Sequence, residues 1–136
     1  GERLPYVQED IRFEGHAIEA RVYAEDPVTF HPSPGKITSL TLPEGSNVRN
    51  EIGIYEGNGI TPFYDGMFAK LVVKGDTRES CIENFLGAVR AYRVEGIKTN
   101  LPLIERVASH EEFRKGNTTT SFINRNLLKS EGSKIQ

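Results

Sequence analysis

The chain has 136 residues, 37% of them hydrophobic and 26% charged, with a formal net charge of −2. This is the balance of one ordinary globular domain, and it lacks the positive field that a nucleic-acid binder uses against a phosphate backbone. A single cysteine, Cys81, excludes an intrachain disulfide and a multi-thiolate metal site, and no apolar run approaches the roughly 18 residues of a membrane span.

Residues 1 to 12 mix proline, acids and aromatics without a period and read as an arm or a short helix. The start lacks the charged-then-apolar layout of a signal peptide, so a cytoplasmic location is expected, or an organelle matrix after removal of a transit peptide. Gly1 is not a natural initiator, and an excised piece of a larger protein is expected. Residues 15 to 25, GHAIEARVYAE, alternate as a strand: Ile18, Ala20, Val22 and Ala24 share one face, and Glu19, Arg21, Tyr23 and Glu25 the other. The polar face is either a solvated surface or the wall of a cleft in which Arg21 meets an anion. DPVTFHPSPG then forces a loop, since three prolines and a glycine interrupt any ladder.

KITSLTLP, residues 36 to 43, predicts a second strand, VRNEIGIY a further strand or pair of short strands, and residues 66 to 74 another, ended by Gly75. The period then changes to 3.6. A helix is predicted over residues 77 to 93, capped by Asp76 or Thr77 with Glu79 completing a capping box, and with Cys81, Ile82, Phe85, Leu86, Val89 and Tyr92 on one face. VEGIKTN is a short strand or link. Asn100 is expected to cap a second helix to about residue 108, Ser109 to open one turn, and TTSFINRNLL to form a last short helix before a polar tail. Strands in the first half and helices in the second argue for an α+β domain, an antiparallel sheet packed with helices.

Chemistry is sparse in the pattern. Cys81 lies on an apolar helix face, where burial suppresses thiolate formation. His16, His31 and His110 show no metal-ligand spacing, and no phosphate-cradling glycine loop is present, so neither a zinc centre nor a self-contained nucleotide site is expected. Arg21 offers a fixed fork of donors for an anionic oxygen, against the alternative of a salt bridge to Glu19 or Glu25. Asp65 reads equally well as a turn residue.

Five segments, GHAIEARVYAEDP, FHPSPGKI, YDGMFAKLVV, EGIKTNLPLI and FRKGNTTTSFI, resemble in order and spacing the C-terminal domain of biotin carboxylase. That enzyme is the ATP-dependent component of acetyl-CoA, other acyl-CoA and pyruvate carboxylases. The resemblance implies that residues 1–128 form this domain, with 129–136 a disordered tail. It places an N-terminal domain and an ATP-grasp domain, which hold ATP and Mg²⁺, outside the chain. It further implies biotin on a carrier protein or domain, a carboxyltransferase partner, a homodimer in the intact enzyme and no activity for the chain alone.

Residue by residue, Arg21 matches the arginine of an H-A-x-E-x-R segment, implied to contact the biotin ureido oxygen and stabilise the enolate formed as N1 is deprotonated. Glu19 and Asp65, the latter matching the acid of Y-Y-D-S-M, are implied to support the biotin pocket. Arg49 of NVRNE matches an arginine at the bacterial dimer contact, and residues 118–123 match a stretch near the adenine end of the ATP site. The chain departs from the bacterial subunit at Asn47, where a phenylalanine stands, and at Thr120 and Ser121, which replace an Ile-His pair. The competing reading is a non-catalytic interaction or dimerisation module that keeps the fold and leaves Arg21 a salt-bridged surface group.

Overall fold

A computed structural model describes residues 1–128; the tail expected at 129–136 lies outside them. The arm is exposed and contains a single 3₁₀ turn, Gln8–Asp10, closed by the Val7 amide donating to Asp10 at 3.0 Å. The body follows as strands β1 (His16–Tyr23), β2 (Gly35–Lys36), β3 (Ser39–Thr41), β4 (Val48–Ile52), β5 (Gly59–Ile60) and β6 (Met67–Gly75). Helix α1 (Arg78–Ala91), strand β7 (Arg93–Glu95), helices α2 (Leu101–Ser109) and α3 (Glu111–Arg114) and a π-helix (Asn124–Leu128) complete it. The expected α+β architecture is present. Among the described residues all pairings are antiparallel, in a three-stranded sheet of order β1-β6-β4 and two ribbons, β2-β5 and β3-β7.

β6 is the central strand, and its alternation decides where the core lies. Ala69, Leu71 and Val73 face inward with Ala20 and Val22 of β1, and against them α1 lays Ile82, Phe85, Leu86 and Val89. Every residue predicted for the apolar face of α1 is buried, Cys81 and Tyr92 included. The Cys81 thiol donates to the Val73 carbonyl, and burial pushes its pKa up, so it belongs to the core. The Tyr92 hydroxyl is buried without a hydrogen-bond partner among the described residues, and burial pushes its pKa up to about 12. No helix among the described residues is long and apolar enough to cross a membrane.

The capping box of α1 differs from the expected one. Thr77 is the cap: its hydroxyl accepts from the Ser80 amide at 3.1 Å and the Ser80 hydroxyl accepts from the Thr77 amide at 3.0 Å. Glu79 is thereby free to pair with Arg114, which also binds Glu83 at 2.6 Å and ties α3 to α1. His110, rather than Ser109, opens α3, its Nδ1 accepting from the Glu112 amide at 3.2 Å. Asn100 stands at the N-cap position of α2 but makes no capping bond there. Such a bond is worth about 0.5–2 kcal/mol. Thr99 Oγ1 accepts from the Leu101 amide at 3.4 Å, and Pro102 brings no N–H to be satisfied.

The strand predicted over residues 36 to 43 is broken between Ile37 and Thr38, because its partner changes there. The Ile37 amide donates to the Asn58 carbonyl and the Gly57 amide to the Ile37 carbonyl, whereas the Thr38 amide donates to Glu95. Ile37 is fully buried at the switch. Gly96 makes the crossing sterically possible: it adopts φ +96°, and a Cβ there would lie 1.9 Å from the Lys36 carbonyl oxygen. Gly96→Ala is therefore expected to lose at least about 1–3 kcal/mol from backbone strain alone, with the clash adding to it. A urea unfolding midpoint equal to that of the parent would contradict this account.

Candidate functional site

Alternation along β1 holds as far as Tyr23: Ala20 and Val22 are buried while Glu19 and Arg21 face solvent. At the end of the strand a bulge intervenes. Val22 pairs with Ala69 and Tyr23 with Met67, which leaves Phe68 as the extra residue, turned into the core. Glu25 therefore lies beyond the strand, in an isolated bridge to Pro32, and burial pushes its carboxyl pKa up.

The register of the sheet sets the neighbours of Arg21. Arg21 stands opposite Lys70, which stands opposite Glu51; Glu19 stands opposite Val72, which stands opposite Arg49. Directly opposed residues share a face, so Glu19, Arg21 and Arg49 occupy one open side of the sheet, with Glu19 and Arg49 two strand spacings, about 10 Å, apart and Arg21 offset from them by two residues along β1. Arg49 is paired with Glu51 on its own strand. Arg21 Nε lies 3.5 Å from Glu19 Oε1, with the two side chains 62% and 45% exposed. An exposed pair at that distance contributes at most about 1 kcal/mol. It leaves the guanidinium donors without a hydrogen bond among the described residues.

Asp65 is placed elsewhere. Its Oδ1 accepts from the Met67 amide at 2.9 Å and starts β6, and no hydrogen bond or ion pair among the described residues joins it to Arg21. It lines a cavity of about 200 Å³ at the end of β1 with Tyr23, Glu25, Ser33 and Tyr64. Asp65 thus starts β6, as the turn reading expects, and also borders this cavity. Among the described residues no three His, Cys, Asp or Glu side chains converge on a metal-sized site.

One side of that cavity is the proline-rich loop, whose shape depends on Asp26. Its Oδ1 accepts from the Val28 and Thr29 amides at 2.9 and 3.0 Å, and its Oδ2 binds Lys98 Nζ at 2.6 Å. The Lys98 amide in turn donates to Ser33 Oγ at 2.9 Å, so the segment before α2 is fastened to both ends of the loop. Phe30 takes a positive φ of 61° within it, a conformation that needs such surroundings to persist. Sequence pattern gave no sign of Asp26, Lys98 or Asn100 as a unit, since the partners lie more than 70 residues apart.

The family model of the biotin carboxylase C-terminal domain matches residues 19–125. The chain belongs to that family. It is 52% identical to a biotin carboxylase of Halalkalibacterium halodurans over 97% of this chain and 29% of the relative, and 51% identical to biotin carboxylase 2 of Bacillus subtilis over 93% and 29%. The chain thus spans under a third of the length of these curated relatives. Among solved structures, the biotin carboxylase domain dimer of Hydrogenobacter thermophilus 2-oxoglutarate carboxylase, in complex with MgADP, ADP and bicarbonate, superposes with a TM-score of 0.86 at 40% identity. That match covers 92% of this chain and 28% of the other. The biotin carboxylase C-terminal domain described here accordingly carries the family's sheet with Arg21 on its open face.

Hydrogen bonds to Lys98 and to the Thr29 and Val28 amides hold the Asp26 carboxyl well below the usual carboxylate range. A carboxyl depressed in the folded state stabilises the fold above its unfolded pKa, and that contribution is lost as pH falls toward the folded value. Asp26→Asn is therefore expected to lower the urea midpoint at pH 7, with the gap to the parent narrowing below about pH 4. A gap that stays constant from pH 7 to pH 3 would contradict this.

Proposed function

We propose that this domain forms one wall of the biotin site of a biotin carboxylase, with Arg21 as the residue it contributes to the reaction. The observation that carries the reading is the state of Arg21: a guanidinium on the open sheet face, next to a backbone anchored by buried Val22, and engaged among the described residues only by a 3.5 Å contact with Glu19. Five N–H donors on a fixed fork suit an oxygen on which negative charge grows, and a donor in place before reaction stabilises that charge without rearrangement. Carrier-borne biotin supplies the N1 nitrogen that receives the carboxyl group from ATP-activated bicarbonate. Glu19 orients Arg21, and Asp65 shapes the cavity beside Tyr23.

ATP and Mg²⁺ are assigned to the N-terminal and ATP-grasp domains of the whole protein. Leu4, Tyr6, Val7 and Phe13 on the arm and Phe63 and Tyr64 beside Asp65 stay exposed, apolar surface that docking against those domains would cover. In the intact enzyme Arg49, on edge strand β4, faces the homodimer partner, a carrier protein or domain brings biotin, and a carboxyltransferase takes the carboxyl group onward in the cytoplasm.

In the full-length protein Arg21→Ala is expected to slow biotin carboxylation about 100-fold or more while ATP binding is retained; fixation of labelled bicarbonate at the parental rate would overturn the assignment. Residues 1–136 alone are expected to show no bicarbonate-dependent ATP hydrolysis, with or without biotin. Mg²⁺-dependent turnover by a pure preparation would overturn this division of labour.

A further inference from the structure

β1 is an edge strand. One edge pairs with β6, with Ala20 opposite Leu71 and Val22 opposite Ala69. Among the described residues the other edge at Arg21 and Tyr23 meets no strand; it meets one residue, Asn100. Asn100 Nδ2 donates to the Arg21 carbonyl at 3.0 Å, the Tyr23 amide donates to Asn100 Oδ1 at 2.9 Å, and the Asn100 amide donates to the Tyr23 carbonyl at 3.3 Å. A side-chain amide has one donor and one acceptor group side by side, and here both are spent on the backbone flanking Val22. The same residue forgoes the cap of α2, although it stands at the N-cap position.

We infer that Asn100 is a positioning residue for Arg21. The inference rests on the reading of Arg21 given above. Asn100 touches no group of the reaction; it fixes the peptide from which the Arg21 side chain projects. Val22 anchors this stretch from the core side and Asn100 from the edge side, so the start of the Arg21 side chain is held from two directions. Displacement by about 1 Å at a reacting centre costs up to about 100-fold in rate. Loss of one of the two anchors is expected to cost less, about ten-fold in kcat.

The test uses the full-length protein, with Asn100→Ala and Asn100→Asp each made in the parent and in the Arg21→Ala background. Asn100→Asp keeps an acceptor for the Tyr23 amide and loses the donor to the Arg21 carbonyl. Expected are a roughly ten-fold lower kcat for biotin carboxylation in both variants, unchanged KM for ATP, unchanged bicarbonate-dependent ATP hydrolysis without biotin, and less than two-fold further loss in the Arg21→Ala background. A merely structural role would lower ATP hydrolysis in step with carboxylation and act equally in both backgrounds; either result overturns the inference. So does Asn100→Asp at the parental kcat. Thermal melts confirm that each variant is folded at the assay temperature, and Asn100→Asp decides the matter if Asn100→Ala is not. Arg21→Ala at the parental rate would instead overturn the arginine reading itself, whereas parental Asn100 variants beside a slow Arg21→Ala would overturn this inference alone.

Discussion

The burial of one face of β6 against α1 is the constraint on which the rest of the structure depends. β6 is hydrogen-bonded along both edges, to β1 and to β4, and its inward residues Leu71 and Val73 are fully buried. Because a one-residue slip would send the whole apolar set to solvent, the register of both neighbours is fixed by the same core. Arg21 and Arg49 take their places from that register, on opposite edge strands of one open face. A role for either residue presupposes the helix on the far side of the sheet.

Outside that sheet the chain is held by polar side chains acting over long sequence distances. Asp26 shapes the proline-rich loop and binds Lys98; Ser33 accepts from the Lys98 amide; Arg114 joins α3 to two acids of α1. These bonds connect loops to helices where strand ladders are too short to do so, since β2 and β5 have two residues each. The Asp26–Lys98 pair and the Ser33 bond meet at the loop after β1, beside the candidate site, whereas the Arg114 pairs lie between α3 and α1.

Sequence pattern revealed what depends on local period. The two faces of β1 and the apolar face of α1 were legible because alternation and a 3.6-residue repeat each register burial directly. The strand of residues 36 to 43 was misread because its interruption is imposed by Gly96 and Asn58, contacts that no local window contains. The capping bond expected of Asn100 is absent for a related reason. Asn100 has the right chemistry and position to cap α2, yet its side chain is claimed by β1 from a distance of 77 residues. The family and the candidate roles of Arg21, Asp65 and Arg49 came from resemblance, since period and spacing left Arg21 undecided between a surface pair and an anion contact.

The treatment of the sheet's margins carries a consequence for the solution behaviour of the domain. A strand with open N–H and C=O groups is a template for pairing with other molecules, and natural proteins blunt such margins. The outer margin of β1 is occupied at Arg21 and Tyr23 by a side-chain amide that no incoming strand can displace without breaking its bonds. The outer margin of β4 carries alternating Arg49 and Glu51, charges that an intruding apolar strand would have to desolvate. Both margins thus carry features that disfavour the addition of a further strand.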